Sequence, residues 1–500
     1  GAVAHWQQGL DDGPTPSQAA ALQIRLMRAL LKLDQRDRSM VCAAALRAMA
    51  HGDQLSNHER AQAWVAVAGH LTSNNRDTDC LALLEEPSPP LDDAQRAQLM
   101  AARAMALRGV GQIEASNAAG HEALAMPAMQ GLDRANLLDS MVMNEHRAGH
   151  SHAALVLSEE ASALSAQIGD THGVIRGMYR RGTLLLDLGD MAGAVGELQR
   201  AAEQAERCGF TLMLRGILFN LVCAHADQTQ PAQVLATAQR GWELQPPLPL
   251  IELRIMYRLA FVEAHVALGG LGLACGHAVA AVDEALTLGT QLALAATAKT
   301  CIELFALLGD GDSAARLLGA IDDEAMRQLP QAANEMWVAR AQAAMLRGDV
   351  AAARLALARA AAPEAMESPR ERARLALASA ELAWAEGDAQ RARTLLPSAD
   401  APGMNGELRL GVLAIRVRLE AGQGRLTATT LAAAQAALNA EVVHATAALA
   451  LHRALIAAQR AGVVGVPAEA LHGGVAHLQR LADSLREHPD RQAAFMKAWG

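Results

Sequence analysis

The chain has 500 residues, a formal net charge of −9 and only 3% aromatic residues. This modest negative charge argues against a general binder of phosphate backbones, because such a protein needs a basic face. Alanine and leucine dominate the composition, whereas the β-branched and aromatic residues that favour strands are scarce. We therefore predict closely packed helices.

The beginning of the chain reads as the end of a helix followed by a break. Asp11–Ser17 is the feature nearest to an interruption, and Gly1–Gly9 precedes it. The basic and apolar regions of a signal peptide are absent from this start. We expect residues 1–15 to be the tail of a preceding helix with a linker, and the natural chain to extend further in the N-terminal direction.

Turn signals then recur at a nearly even spacing of about 40 residues. They lie near Leu33-Asp34, Asn74-Asn75, Gly109, Gly149, Gly189, Thr229, Gly269, Gly309, Gly348, Gly387, Gly422 and Gly462. Prolines, which cannot continue a helix, mark loops between units, among them Pro87, Pro246, Pro247, Pro330, Pro363, Pro369 and Pro397. Such a period predicts an all-α solenoid of about 11–12 antiparallel helical hairpins over residues 16–488, with a C-terminal cap at 489–500.

The clearest hairpin is Arg180–Gln204. After Gly189, Ala194, Leu198 and Ala201 are spaced by 4 and 3 residues, which places them on one helix face. Glycine adopts a positive φ without strain, and the aspartate that follows it caps the next helix. The same pattern recurs after Gly348-Asp349 and Gly387-Asp388, with Ala353, Leu357, Ala360, Ala392, Leu396 and Ala399.

Cysteine usage and hydropathy favour a cytoplasmic protein without a membrane partner. The six cysteines are scattered singly, without CxxC spacing, so we predict buried reduced thiols and no zinc site. Leu259–Val282 is the most membrane-like run, but Glu263, His265 and His277 interrupt it.

Motifs for chemistry are weak throughout the sequence. No GxxxxGK[ST] loop occurs, and the serines, cysteines and histidines show no triad spacing. Glu145, His146, His150 and His152 form the best metal candidate, but we favour a solvated polar turn with histidines near the helix ends. We therefore predict no enzymatic activity, no cofactor, no metal and no direct contact with nucleic acid.

The hairpin pattern resembles the tetratricopeptide repeat, in which a small turn residue is followed by Ala at +5, a large apolar residue at +9 and Ala at +12. The longer period resembles the repeat domain of MalT-like proteins, as do the short segments Ala4–Gly9 and Leu481–Phe495. Such domains lie C-terminal to signal-transduction ATPases in bacterial transcription regulators. The resemblance implies a right-handed superhelix whose first helix in each pair lines a concave, ligand-binding face.

Counting back from each turn gives the residues expected on that face. They are Arg103, Asn136, Asp139, His146, Arg176, Tyr179, Glu263, Lys299, Glu303 and Arg374. Arg176 and Tyr179 beside Asn136 have the chemistry to clamp a peptide backbone or a carboxylate. The alternative is that these charged residues merely solvate exposed helix faces.

Three functional hypotheses follow. The first is a non-enzymatic array that binds a protein, a peptide or a small effector and serves as the C-terminal sensing module of a larger regulator, beside an N-terminal ATPase or effector module of the same chain. The second is an enzyme on a closed α/α barrel, which would bring the first and last hairpins into contact. The third is a scaffold or peptide receptor that works alone.

Overall fold

The structure, a computed structural model, describes residues 2–32, 35–147, 150–244, 251–326, 330–360, 369–440, 443–464, 466 and 469–499. In these segments the regular elements are helices, and an isolated bridge pairs Arg425 with Val464. The chain divides into two compact units, Gly1–Arg207 (unit 1) and Cys208–Gly500 (unit 2). The prediction of an all-α fold is confirmed.

Unit 1 contains eleven helices within its described residues. They are α1 (Ala2–Asp11), α2 (Pro16–Lys32), α3 (Arg36–His51), α4 (Asn57–Ser73), α5 (Asp77–Glu85), α6 (Asp93–Gly109), α7 (Ile113–Ala125), α8 (Gly131–Arg147), α9 (Ser151–Gln167), α10 (Thr171–Asp187) and α11 (Met191–Arg207). Neighbouring helices pack in pairs, such as α8 with α9 and α10 with α11. Helix α1, which we expected to belong to a tail and linker, packs against α2.

Unit 2 continues the same hairpin pattern. Its described helices are α12 (Thr211–Asp227), α13 (Pro231–Glu243), α14 (Ile251–Leu268), α15 (Leu271–Leu288), α16 (Gln291–Leu307), α17 (Gly311–Gly319), α18 (Asp323–Met326), α19 (Pro330–Leu346), α20 (Val350–Leu357), α21 (Pro369–Ala385), α22 (Ala389–Leu395), α23 (Gly406–Ala421), α24 (Ala428–Leu438), α25 (Ala445–Arg460), α26 (Glu469–Asp483) and α27 (Pro489–Trp499).

The predicted Gly-Asp turn chemistry is confirmed. Gly189, Gly348 and Gly387 have φ values of 81°, 77° and 83°, in the left-handed region that favours glycine. The carboxylates of Asp349 and Asp388 each accept a hydrogen bond from a backbone N–H three residues later, at 2.9 Å in both cases. One residue thus ends the first helix of a pair, and the next residue starts the second.

Two turn assignments are corrected by the backbone. The left-handed residues are Gly111 (φ 82°) and Gly424 (φ 83°), two positions after the expected Gly109 and Gly422. Gly109 is the last residue of α6, where a Cβ would overlap the carboxylate of Asp77, so its role is close packing. The expected marks at Leu33-Asp34 and Gly149, with Pro246, Pro247 and Pro363, lie outside the described residues.

Two second helices are shorter than the repeat pattern predicts. Ala194, Leu198 and Ala201 are fully buried along α11, as expected. Helix α22 ends at Leu395, because Pro397 cannot continue a helix and disfavours one before it. Helix α20 ends at Leu357. Ala360 and Ala399, each 12 residues after its turn glycine, therefore lie beyond the ends of α20 and α22.

The membrane-like run Leu259–Val282 covers the second half of α14, a turn and the first two thirds of α15, both of which contribute to the core of unit 2. By length and composition α15 is long and apolar enough to cross a membrane, and among the described helices no other meets that test. Its Ala274, Cys275 and Ala278 are fully buried in a core that also contains Phe305 and Phe495. Packing against neighbouring helices therefore accounts for its apolar character.

Unit 2 also packs hairpin turns against helices that come much later in its sequence. The Gly406 N–H lies 3.5 Å from Thr229 Oγ1, Leu271 N–H donates to Ser484 Oγ at 3.1 Å, and Arg491 donates to Asp310 at 2.6 Å. The contact partners advance along the chain from one turn to the next. Within its described residues, unit 2 therefore winds back over itself progressively. The right-handed sense stays a prediction.

We predict that Thr229→Gly stabilises the chain. Thr229 is a β-branched residue with a φ of 57°, and the left-handed region costs a residue with a Cβ about 1–2 kcal/mol. The substitution also removes the long contact of Thr229 Oγ1 with the Gly406 N–H. We therefore expect a net gain of at most about 1 kcal/mol, seen as a rise of about 1–2 °C in the Tm measured by calorimetry.

The control for this substitution is Thr287→Gly. Thr287 is the penultimate residue of α15 and has no positive φ, so glycine relieves no strain there and its Tm should not rise. A Tm for Thr229→Gly at or below that of the wild type would contradict the prediction.

Candidate functional site

A groove with a volume of about 750 Å³ runs along unit 1. Residues of α2, α4, α6, α8 and α10 line it, and each of these is the first helix of its hairpin. The first helices, which we expected to line a concave face, therefore line this groove. The volume lies within the range of ligand-binding clefts, about 300–1,000 Å³.

A row of polar side chains follows the groove. Gln62, Gln98, Asn136 and Arg176 each occupy the sixth position of their helices, and all four line the groove. Because successive hairpins repeat the same orientation, equivalent positions form a row from one hairpin to the next. Arg176 donates to Asn136 Oδ1 at 2.9 Å, so the last two members are in direct contact.

One end of this row is charged and held by ion pairs. Asp139 Oδ1 lies 3.4 Å from Arg176 Nε and 3.2 Å from Arg180 Nε, and these three side chains are between 16% and 25% exposed. The Arg180 guanidinium lies 5.7 Å from the centre of the Tyr179 ring. Partly buried pairs of this kind fix the orientation of the guanidinium groups before a ligand arrives.

An unused hydroxyl opens onto the same groove. Ser140 is 4% exposed, and its Oγ has no hydrogen-bond partner among the described residues. A buried polar atom without a partner costs about 1–3 kcal/mol, a cost that a bound donor or acceptor would remove. Met27, Leu31, Val65, Met105 and Leu137 give the groove its apolar walls.

The structure brings Asn136, Asp139 and Arg176 into this groove but not Arg103. Arg103 is exposed on α6 and is not among the lining residues. The reason is the turn assignment, because counting back from Gly111 instead of Gly109 selects Gln98 and Met105. Both of these residues line the groove.

His146 and Tyr179 also lie outside the groove lining. His146 Nε2 is 2.5 Å from Asp187 Oδ2, which links α8 with α10. His150 Nδ1 pairs with Glu145 Oε2 at 2.9 Å. Among the described residues, no group of three or more His, Cys, Asp or Glu side chains is placed to hold a metal ion.

The remaining predicted residues belong to unit 2. Arg374 donates to Glu303 at 2.7 Å, although 71 residues separate them. Lys299 Nζ lies 2.8 Å from Glu335 Oε2, and Glu263 accepts from Thr300 at 3.2 Å. Glu335 occupies the same hairpin position as Arg374 but was not among the predicted residues.

Burial perturbs the carboxylates on this face of unit 2. Burial raises the pKa of Glu381 to about 7; nearby Glu303 adds to the shift, whereas Arg418 and Arg374 oppose it. The pKa of Glu303 is also raised, mainly by burial, despite the contact with Arg374. At neutral pH Glu381 is therefore partly protonated.

The chain was compared with known proteins. No protein-family model and no curated protein matches it. A Rap protein complexed with competence and sporulation factor is 14% identical and covers 63% of this chain and 99% of its own, with a TM-score of 0.42. The APC/C hetero-tetramer Cut9–Hcn1 is 12% identical and covers 100% of this chain and 92% of its own, with a TM-score of 0.44.

The pentatricopeptide repeat protein PPR10 from maize is 14% identical and covers 98% of this chain and 76% of its own, with a TM-score of 0.28. Similarities this low do not allow a ligand or a partner to be inferred for this chain.

We predict that Glu381→Gln raises stability above neutral pH. When the pKa of a carboxyl is higher in the folded chain than in the unfolded chain, stability falls as pH rises from the unfolded pKa to the folded pKa. The Tm difference from wild type should be near zero at pH 4, grow through the interval up to pH 7, and reach at least about 2 °C at pH 8. Calorimetry across this pH series measures it.

The control is Glu487→Gln, because Glu487 is exposed. It should show no such pH-dependent difference. A flat difference for Glu381→Gln across the series would show that Glu381 is not buried enough to titrate abnormally.

Proposed function

We propose that the groove of unit 1 binds an extended peptide segment, and that the chain is a non-enzymatic binding array. The observation that carries this proposal is the row formed by Gln62, Gln98 and Asn136 along the groove. Gln98 already donates to Asp133 at 2.6 Å, and Asn136 Oδ1 accepts from Arg176. Because a carboxamide has two donor hydrogens and an oxygen with two lone pairs, each keeps capacity to pair with the C=O and N–H groups of an extended backbone. The row thus places one carboxamide on each of three successive hairpins.

The other groove residues suit the same ligand. In an extended peptide, successive side chains point to opposite sides, so alternate side chains can pack against Met27, Val65 and Met105. Ser140 Oγ supplies a further polar contact at a buried position. Arg176, held by Asp139, is oriented in advance for a backbone carbonyl or a carboxylate.

The proposed wider role is the C-terminal sensing module of a larger bacterial regulator in the cytoplasm. Its support is the MalT-like resemblance of the repeat period and of the two short end segments. In such a protein, peptide binding shifts the attached module only if two states of the array differ in affinity. The coding sequence upstream of residue 1 tests this role. A phosphate-binding GxxxxGK[ST] loop there supports it, and its absence favours a receptor or scaffold that works alone.

We predict that peptides selected by this chain lose affinity when the amide row is shortened. The experiment pans a phage library of random dodecapeptides against the wild type and measures the Kd of synthesised hits by fluorescence anisotropy. Gln98→Ala and Asn136→Ala should each weaken binding about 5–10-fold, since each removes hydrogen bonds worth about 1–1.5 kcal/mol.

Gln167→Ala is the matched control, because Gln167 is an exposed amide at the end of α9, outside the groove. It should leave the Kd unchanged. Peptide hits that bind equally well to the Gln98 and Asn136 variants, or the absence of any enriched peptide, would overturn the proposed function.

A further inference from the structure

A second, smaller pocket lies between α1, α2 and α3 in unit 1. Its volume is about 190 Å³, and its walls are Leu10, Leu26, Leu30, Val41 and Cys42. Leu26 and Leu30 are almost fully buried, whereas Val41 is 70% exposed at the rim. None of these residues lines the peptide groove, so the pocket is independent of the proposed function.

The size of the pocket matches one six-membered ring with a small substituent. An engineered cavity of about 150 Å³ with aliphatic and aromatic walls stays dry and admits benzene. Here four aliphatic side chains and a thiol make up five of the eight lining residues, and the other three are polar. Burial raises the pKa of the Cys42 thiol, which keeps this wall uncharged at neutral pH.

Three polar side chains line the pocket, and two of them, Gln23 and Arg38, limit which ring fits best; the third is Gln7. Gln23 Oε1 is buried and has no hydrogen-bond partner among the described residues. Arg38 also lines the pocket, and its NH1 donates to Gln35 Oε1 at 2.7 Å. An unpaired acceptor favours a ligand with an O–H or N–H group, and a guanidinium favours a π face.

We propose that this pocket binds a free small aromatic molecule of the phenol class, with its hydroxyl on Gln23 Oε1 and its ring beside Arg38. An apolar ring without a donor fills the same space but leaves the glutamine oxygen unpaired. A saturated alcohol satisfies the oxygen but has no π face for the guanidinium. Phenol therefore binds more tightly than toluene or cyclohexanol.

The test titrates phenol, toluene and cyclohexanol into the full chain and follows saturable binding by saturation-transfer NMR. Val41→Trp closes the rim from an exposed position. It should therefore raise the Kd for phenol at least about tenfold without unfolding the chain. Val156→Trp is the matched control, because Val156 is 66% exposed on α9 and lies outside the pocket. It should bind phenol as the wild type does, and circular dichroism verifies that both variants fold.

Gln23→Leu tests the hydroxyl contact separately. It should raise the Kd for phenol about fivefold, the equivalent of one hydrogen bond, and leave the Kd for toluene unchanged or lower. Three results would overturn the proposal: no saturable phenol binding by the wild type, retained binding by Val41→Trp, or equal losses of phenol and toluene in Gln23→Leu.

Discussion

The structure depends on one backbone constraint, a residue in the left-handed conformation at the end of the first helix of a hairpin. That conformation reverses the chain within two or three residues, so the next helix packs antiparallel against the first. At Gly189 and Gly348 the following position is aspartate, which favours helix initiation. Because such a residue recurs about every 40 residues, the apolar faces of the helices always meet a neighbouring hairpin.

The same constraint sets what reaches the groove. Once the turn residue is fixed, each position of the preceding helix points in a fixed direction. Because the first helices of successive hairpins have nearly equal lengths, equivalent positions point the same way. Gln98 and Asn136 therefore fall in one row, although nothing in their local sequences marks them as related. An error of two residues in the assigned turn selects a side chain on the outer surface instead of one in the groove. For this reason Arg103 was predicted where Met105 lies.

Local chemistry made the hairpins, their turns and the buried Ala and Leu positions predictable from the sequence. It did not distinguish Gly109 from Gly111, because both are glycines near a helix end and only packing against Asp77 separates their roles. The pairing of Arg374 with Glu303 and the contact of Thr229 with Gly406 depend on residues far apart in sequence. No periodic pattern encodes such contacts. The unpaired oxygens of Ser140 and Gln23 likewise appear only when all their neighbours are in place.

The packing of hairpin turns on later helices gives unit 2 a different kind of cooperativity from unit 1. In unit 1 each helix contacts helices close to it in sequence, so an end hairpin can melt while its inner neighbours stay folded. In unit 2, Leu481, Leu485 and Phe495 share a core with residues of α14 to α17. Losing the C-terminal helices uncovers hairpins much earlier in the chain, so we expect unit 2 to unfold as one block, whereas a hairpin of unit 1 opens with only its neighbours.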